Sequence, residues 1–207
     1  MDESRPRLEL NIEYPYQLSR WLIFVKWLLA IPHYFALAFL AIAALGVSII
    51  AFFAILITGR YPEGLWRFNH GYLNWMNNVN AYSALMRDEY PPFSFETPGY
   101  PATLSLDYPA RLSRLLIFVK WILVIPHMIA LWILGIGAGI VWFVAFFAIL
   151  FTGKYPPGMF RFYEGYLRWT ERVNAYLLLM TDDYPPFTIY SDVEPSAQIT
   201  PDYKGNF

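Results

Sequence analysis

The chain has 207 residues, of which 57% are hydrophobic, 20% are aromatic and only 15% are charged, with a formal net charge of −1. A soluble domain carries about 25% charged residues and about 45–50% apolar ones, so this composition predicts a membrane protein. The chain has no cysteine, which excludes a disulfide scaffold and cysteine-ligated metal sites. Because the chain has no excess of basic residues, we also expect no nucleic-acid partner.

Two copies of one sequence module fill most of the chain. Tyr14 and Pro15 recur at 108–109, and the run from Phe24 to Trp27 recurs at 118–121. This offset of 94 residues aligns 80 positions without a gap, and 49 of them are identical. A repeat of this strength defines the organisation of the chain before any other feature. We therefore assign residues 1–96 to a first module, 97–107 to a linker and strand, and 108–190 to a second module.

The first predicted elements are a charged N-terminus and a short strand. Residues 1–7 are charged and no short apolar core with a cleavage site follows them, so we expect no cleaved signal peptide. Leu8, Leu10 and Ile12 alternate with polar residues, which is the pattern of a half-buried strand. The segments that match this strand are 93–95, 104–106 and 187–189. We expect four short strands, paired on one face of the membrane.

An apolar stretch follows the first strand in each module, and residues 18–58 and 112–152 are predicted to hold the membrane helices. A bilayer span needs about 20 apolar residues, so each stretch is long enough for one crossing and nearly long enough for two. Pro32 and Pro126 are expected to end or kink the first helix, and the glycine-rich run at 135–139 offers a turn. Each module therefore forms either a hairpin or double span, in two parallel copies, or a single span, in two inverted copies.

The positions of the basic residues favour the hairpin. Both modules carry cations at equivalent positions, such as Arg20 and Arg114. Inverted copies would place these cations on opposite sides of the membrane, against the bias that keeps positive charge in the cytoplasm. The predicted fold class is therefore mainly α: a polytopic helical membrane protein of two tandem parallel repeats, with short cytoplasmic strands and cytoplasmic termini.

An amphipathic helix is predicted near the end of each module, over residues 63–87 and 157–181. Its apolar residues recur at spacings of three and four, from Leu65 through Trp75 to Met86, and so form a stripe on one face. Tyrosine and tryptophan suit a membrane–water interface, so the stripe lies either on the bilayer or against its twin across a pseudo-two-fold axis. The periodicity stops at the end of the second module, and we expect residues 191–207 to form a disordered tail.

Basic and aromatic residues near the start of each apolar stretch form a candidate lipid-binding set. Lys26 and Lys120 lie inside apolar runs, from which a lysine can extend its charge to the lipid headgroups. With the neighbouring arginines they either hold the phosphate of an anionic lipid or only anchor the helices. The complete set is Arg20, Lys26, Trp27, Arg114, Lys120 and Trp121.

Two histidines and two asparagines are candidates for a polar site within the membrane. His33 and His127 each follow a proline and occupy equivalent positions. If the fold brings them to a common axis they could ligate one haem; otherwise they solvate a helix break beside the proline. Asn80 and Asn174 lie beside the aromatic stripe and could hydrogen-bond across a helix pair. We expect no resident cofactor and no metal site.

No set of catalytic residues is recognisable in the sequence. One aspartate per module, Asp88 or Asp182, has no base, nucleophile or metal cluster near it in sequence, so we assign it to helix termination. The chain also has no phosphate-binding glycine loop and no motif around an activated serine. The sequence therefore predicts that the protein is not an enzyme.

Four motifs of the second module resemble a known family. They are the run YPARLSR at 108–114, Val119-Lys120-Trp121, Ile125-Pro126-His127 and the run TGKYP at 152–156. Together they resemble a bacterial integral-membrane family described as a domain of unknown function, and the resemblance covers residues 14–93 and 108–187. It implies a multi-pass protein of the bacterial cytoplasmic membrane and brings no activity, substrate or cofactor. The first copy has Tyr16-Gln17 in place of Ala110-Arg111, so one basic contact is missing there.

The leading functional hypothesis is a non-enzymatic multi-pass membrane protein. It would act as a scaffold or accessory subunit of a membrane complex, or bind anionic lipid, with membrane lipids, a membrane protein or a second copy as partners. One alternative is a small transporter or channel component with a site on the pseudo-two-fold axis. The other is a haem-binding subunit that uses His33 and His127.

Overall fold

A computed structural model describes residues 8–190 of the chain. The predictions for the N-terminus at 1–7 and for the tail at 191–207 lie outside the described residues. The described part is mainly helical, with a two-stranded sheet, four helices and a short 3-10 turn at Leu22–Phe24. The elements are β1 (Glu9–Ile12), α1 (Lys26–Thr58), α2 (Glu63–Ser83), β2 (Ala102–Ser105), α3 (Leu116–Thr152) and α4 (Pro157–Leu177).

Each apolar stretch forms one long helix, so the predicted hairpin or double span within a module is wrong. α1 has 33 residues and α3 has 37, and neither contains a turn. Both helices are long and apolar enough to cross a membrane. Each ends at a glycine with positive φ, Gly59 at 72° and Gly153 at 70°, a conformation that commonly terminates helices.

The prolines do not end the helices either. Pro32 lies inside α1, and Pro126 lies inside α3. A proline removes one backbone hydrogen bond and strains the preceding turn. In that turn the carbonyl oxygen of Leu29 accepts a hydrogen bond from the Tyr90 hydroxyl at 3.2 Å. Tyr184 donates to the carbonyl of Leu123 in the same way, so a side chain from the end of each module supports the backbone next to its proline.

The glycines that were expected to form a turn instead make room for side chains. A Cβ atom at Gly135 would lie 3.3 Å from the hydroxyl of Tyr166, and one at Gly137 would lie 3.4 Å from the ring of Phe162. Both rings belong to α4, which packs along α3. These glycines therefore allow the two helices to approach closely, and α3 continues through them.

α2 and α4 start at residues 63 and 157 and end four residues before the predicted ends. Each is followed by a leucine in the left-handed conformation, Leu85 or Leu179, both with φ of 63°. The aromatic stripe of α2 faces α1, where Trp75 and Val79 pack on Leu37. Because this face is buried in its own module, the stripe does not lie on a bilayer surface as one interpretation of the sequence proposed.

The described residues contain two strands rather than the four that were predicted. β1 and β2 pair with each other in antiparallel orientation. The segments at 93–95 and 187–189 pack on α2 and α4 instead of joining the sheet. They lie so close that a Cβ at Gly71 would be 2.5 Å from Phe95, and one at Gly165 would be 2.4 Å from the carbonyl oxygen of Ile189.

The two modules are related by a pseudo-two-fold axis and run antiparallel to each other. Leu10 of β1 pairs with its own repeat equivalent, Leu104 of β2, so the axis passes through this pair. The helices obey the same symmetry, because the Phe24 and Phe146 rings lie 5.4 Å apart and the Phe52 and Phe118 rings 5.2 Å apart.

The start of the first long helix therefore lies beside the end of the second, and the predicted parallel arrangement of the repeats is wrong. That prediction applied the charge bias of membrane-crossing segments to each copy separately. It did not allow for two antiparallel long helices that lie side by side, with the start of each beside the end of the other.

The elements form three layers. α1 packs on α2 and α3 on α4, and the main helix contacts of the strands are those of β2 with α2 and of β1 with α4. Trp169 of α4 donates a hydrogen bond to His127 of α3. The preceding residue, Arg168, donates to the carbonyl of Leu10 in β1. The sheet and the long helices thus lie on opposite sides of the α2–α4 layer.

The outer surfaces of the two ends of this stack differ in chemistry. On the long helices, large apolar side chains are about two-thirds exposed or more: Phe35, Ile42, Ile57, Trp132 and Phe151. On the strands the exposed residues are Glu9, Asn11, Thr103 and Ser105. One side of the molecule is therefore apolar, and the opposite side is polar.

Candidate functional site

Each module holds a buried lysine in a polar cluster. Lys26, only 1% exposed, places Nζ 2.7 Å from a carboxylate oxygen of Asp88 and donates to the carbonyl of Arg87 at 2.7 Å. Its ammonium group also lies 5.2 Å from the centre of the Tyr82 ring. The other carboxylate oxygen of Asp88 accepts a hydrogen bond from the backbone N–H of Ser19 at 2.6 Å. The second module repeats this cluster with Lys120, Asp182, Thr181, Tyr176 and Ser113.

These contacts contradict the prediction that the lysines extend to the lipid headgroups. Lys26 and Lys120 point into the protein and neutralise a carboxylate, as buried charges generally must. Asp88 and Asp182 accordingly do more than terminate a helix, since each joins the start of a long helix to the end of its module. Sequence proximity could not reveal the pair, because 62 residues separate each lysine from its aspartate.

Each module also holds its histidine in an aromatic cluster. The Nδ1 atom of His33 accepts a hydrogen bond from the indole N–H of Trp75 at 3.1 Å. The imidazole stacks on Phe93 with ring centres 3.9 Å apart and contacts Tyr90 at 4.8 Å. The second module places His127, Trp169, Phe187 and Tyr184 in the same arrangement.

The two histidines do not form the shared ligand pair that a haem site requires. Aromatic residues of its own module enclose each imidazole, Phe93 and Tyr90 around His33 and the equivalent rings around His127. Because Nδ1 accepts a hydrogen bond, the proton of a neutral imidazole resides on Nε2, and this atom is buried without a partner among the described residues. A protonated ring nitrogen is not a metal ligand. The histidines are also not solvating a helix break, since both are fully buried.

The middle layer contains further buried polar residues at equivalent positions, Asn77 on α2 and Glu171 on α4. Burial raises the pKa of the Glu171 carboxyl to about 8, and a hydrogen bond from the Asn174 amide only partly opposes this effect. Asn174 therefore interacts within its own helix rather than across a helix pair. The Asn77 amide has no hydrogen-bond partner in the described part of the chain, and Asn80 is half-buried.

A basic cleft lies where the end of α1 meets the start of the second module. It has a volume of about 540 Å³ and is lined by Thr58, Gly59, Arg60, Arg111, Leu112 and Arg114. A backbone hydrogen bond of 2.9 Å from Leu112 to the carbonyl of Gly59 joins its two walls. The three arginines are exposed, and no side-chain ion pair or hydrogen bond connects them to another residue between 8 and 190.

The pseudo-two-fold axis generates a sister region at the other end of the molecule, where Leu18 bonds to the carbonyl of Gly153 at 2.8 Å. Arg20 lies over Gly153 there as Arg114 lies over Gly59. The equivalents of Arg60 and Arg111, however, are Lys154 and Gln17. The sister region therefore has two cations where the basic cleft has three.

The structure divides the predicted lipid-binding set. Arg20, Trp27, Arg114 and Trp121 are exposed, whereas Lys26 and Lys120 are buried. Trp27 is 64% exposed and Trp121 is 53% exposed, near the start of the long helices. Arginine and tryptophan thus remain available to a partner at both ends of the apolar side.

Several residues that matter in these sites were not identified from the sequence. Trp75 and Phe93 hold His33, and Arg60 and Arg111 line the basic cleft. The first two carry a usable signal, because tryptophan and the Tyr-Pro-Pro-Phe run recur at equivalent positions in both modules. For Arg111 the sequence showed only that the first copy lacks this cation, and it did not indicate that Arg60 lies beside it. Only the contact between modules brings the two arginines together.

Comparison with known proteins gives the family of the chain. The family model Domain of unknown function (DUF4389) matches residues 20–94 and 114–188. No curated protein and no solved structure matches the chain. The two matched ranges coincide with the two sequence repeats and cover more than half of the chain, so the protein belongs to the DUF4389 family, as a tandem pair of its domains.

Proposed function

We propose that this member of the DUF4389 family is a non-enzymatic, lipid-binding membrane protein that lies within one leaflet, with α1 and α3 parallel to the bilayer plane. The observation that carries the proposal is the division of the surface. The outer faces of both long helices are apolar, and the polar strands lie on the opposite side. Exposed apolar patches of this extent mark contact with a membrane or a partner.

The pseudo-two-fold axis argues against helices that cross the bilayer. The axis passes through the pair Leu10–Leu104 and runs perpendicular to the antiparallel long helices. If these helices crossed the membrane, the sheet would lie at mid-bilayer depth. The open strand edges and exposed polar side chains such as Glu9 and Asn11 would then face hydrocarbon, at a cost of several kcal/mol for each unsatisfied backbone group. Helices that lie in the plane leave the strands in water.

The dimensions suit one leaflet. A helix with its side chains is about 10–12 Å across, and half of the hydrocarbon core measures about 15 Å. The layer formed by α1 and α3 therefore fits within a single leaflet, with α2 and α4 above it at the level of the headgroups.

This orientation also agrees with the equivalent positions of the basic residues in the two modules. Inverted copies that crossed the membrane would place these residues on opposite sides. With the pseudo-two-fold axis along the membrane normal, equivalent residues of both modules lie at the same depth. Arg20 and Arg114 then face headgroups of the same leaflet, beside Trp27 and Trp121. Tryptophan and arginine are favoured at this level of a membrane. Exposed arginine and tryptophan at both ends of the long helices therefore favour lipid, rather than a second copy of the chain, as the partner that covers the apolar side.

Depth measurements on single-cysteine variants test the proposal. The chain has no native cysteine, so nitroxide labels at Ile31, Ile42 and Phe53 report separate points on the exposed side of α1. These residues are spaced by three turns, and the outer two are about 33 Å apart along the helix. In bilayers we expect the same depth, from accessibility to oxygen and to a water-soluble nickel complex, at all three labels. A label at Asn11, on the sheet, serves as the aqueous control.

Two results would overturn the proposal. A label at Ile42 that is deep while Ile31 and Phe53 are shallow indicates a helix that crosses the bilayer. Labels that are shielded from lipid-soluble oxygen and show strong spin–spin coupling between chains indicate that a second copy covers the apolar side.

One observation favours a second candidate, a small transporter component with a polar site in the middle layer. Asn77 has an unpartnered buried amide within the described residues, and Glu171 lies at the equivalent position. A flux assay in proteoliposomes discriminates the two functions. Solute flux that is lost in Glu171→Gln supports transport, whereas equal leakage with and without the protein opposes it.

A further inference from the structure

We propose that the basic cleft binds one phosphate group, and that the sister region at the other end of the molecule does not. This inference rests on the proposed function only for the source of the phosphate, which is either a lipid headgroup or a free phosphate ion. The cleft is defined by its six lining residues, of which Arg60, Arg111 and Arg114 carry charge.

The basic cleft carries more positive charge than is needed to balance the dipole at the end of α1. The C-terminus of α1 carries about half a negative charge, which one arginine suffices to balance. The last turn is already capped, because the N–H of Gly59 bonds to the carbonyl of Ile55 at 2.7 Å and the Thr58 hydroxyl bonds to the carbonyl of Ala54 at 2.7 Å. Three guanidinium groups therefore line one open volume, and an anion bound there would offset their mutual repulsion.

The cleft is also built to hold its arginines in place. Gly59 has a φ of 72°, which favours glycine, and the Arg114 side chain lies in contact with this residue. A Cβ at this position would be 3.5 Å from Nε of Arg114. Arginine binds phosphate through paired N–H donors in a fixed fork, so guanidinium groups on two walls that a backbone hydrogen bond joins suit a phosphate better than lysines do.

The sister region supplies an internal comparison. It keeps Arg20 but has Gln17 and Lys154 in place of Arg111 and Arg60. Glutamine adds no charge, and lysine lacks the fork geometry. The substitution Arg111→Gln therefore gives the cleft a residue that the same backbone position already accommodates in the first module.

The test measures phosphate binding to the full chain in a non-ionic detergent by calorimetry, with inorganic phosphate as the probe. A second arm measures binding to vesicles of phosphatidylcholine with and without phosphatidylglycerol. We expect Arg111→Gln to weaken binding about tenfold, the effect of losing one charge-assisted contact. The control Arg67→Gln removes an equal charge from an exposed pair with Glu63 outside the cleft and leaves binding unchanged. Gln17→Arg is expected to add a second, weaker site.

The outcomes separate the source of the phosphate from the existence of the site. Loss in both arms identifies a lipid headgroup, and loss of inorganic phosphate binding alone identifies a free ion. Equal weakening by Arg111→Gln and Arg67→Gln would reduce the effect to net charge and overturn the site, as would the absence of phosphate binding in both arms. If either of these results overturns the site while insertion into phosphatidylcholine vesicles is unchanged, the proposed in-plane orientation still stands. The two proposals can therefore fail independently of each other.

Discussion

At the scale of single residues, buried ion pairs join segments of the chain that are distant in sequence. Lys26 neutralises Asp88, and the aspartate in turn binds the backbone of Ser19. Removing one partner of such a pair leaves the other charge buried without compensation, which is more costly than the net value of the pair. The same logic holds for the aromatic cluster, where Trp75 supplies the hydrogen bond that His33 needs in an apolar environment.

Glu171 is the residue whose charge is least compensated, and it makes folding sensitive to pH. Burial raises the pKa of its carboxyl from 4.5 to about 8. Between these two pH values the folded protein therefore holds a proton that the unfolded chain releases. Stability is therefore greatest below pH 4.5 for this group and falls as the pH rises towards 8. Each pKa unit corresponds to about 1.4 kcal/mol.

The variant Glu171→Gln removes this penalty. We expect its free energy of unfolding to exceed that of the parent protein by a few kcal/mol at pH 8.5, and the difference to vanish near pH 4.5. Thermal unfolding in detergent across this range provides the measurement. The exposed Glu63→Gln is the control, with an expected change below about 1 kcal/mol at either pH. A constant difference at all pH values would show that Glu171 is already compensated.

At the scale of elements, the two glycines of α4 have opposite roles. A Cβ at Gly165 would lie 2.4 Å from the carbonyl oxygen of Ile189, whereas one at Gly158 would meet nothing within 4 Å. We expect Gly165→Ala to displace the segment at 187–189 and to lower the free energy of unfolding by about 2 kcal/mol. Gly158→Ala is the matched control, and there the loss of backbone freedom in the unfolded chain stabilises the helix by about 0.5–1 kcal/mol.

Chemical denaturation of the two variants in the same detergent compares them directly. Equal effects of Gly165→Ala and Gly158→Ala would mean that the contact with Ile189 does not constrain the helix. The repeat supplies a second test, since Gly71→Ala and Gly64→Ala occupy the equivalent positions in α2 and are expected to behave in the same way.

The elements also show what the sequence could predict. The repeat, and the spacings of three and four residues from Leu65 through Trp75 to Met86, depend on neighbours along the chain. They locate both copies and the starts of the short helices. Contacts between distant segments are not encoded in this local pattern. The side-chain hydrogen bond to the α1 backbone near Pro32 comes from Tyr90, which lies 58 residues later. The basic cleft depends on Arg60 meeting Arg111, and this follows only from the antiparallel relation of the modules.

At the scale of the whole molecule, the proposed orientation in the membrane follows from the same antiparallel relation. The composition indicates membrane contact, and the lengths of α1 and α3 allow a crossing. The layer order opposes a crossing, because it places apolar side chains on one side and the polar sheet on the other. A pseudo-two-fold axis along the membrane normal satisfies both surfaces, and it gives the two modules the same depth despite their opposite directions.

The orientation of the helices in aligned bilayers tests the in-plane arrangement most directly. Polarised infrared spectroscopy of the amide bands reports the average axis of the helices relative to the membrane normal. We expect that axis to lie close to the bilayer plane. Helices aligned within about 20° of the membrane normal, the average tilt of membrane-crossing helices, would contradict the arrangement.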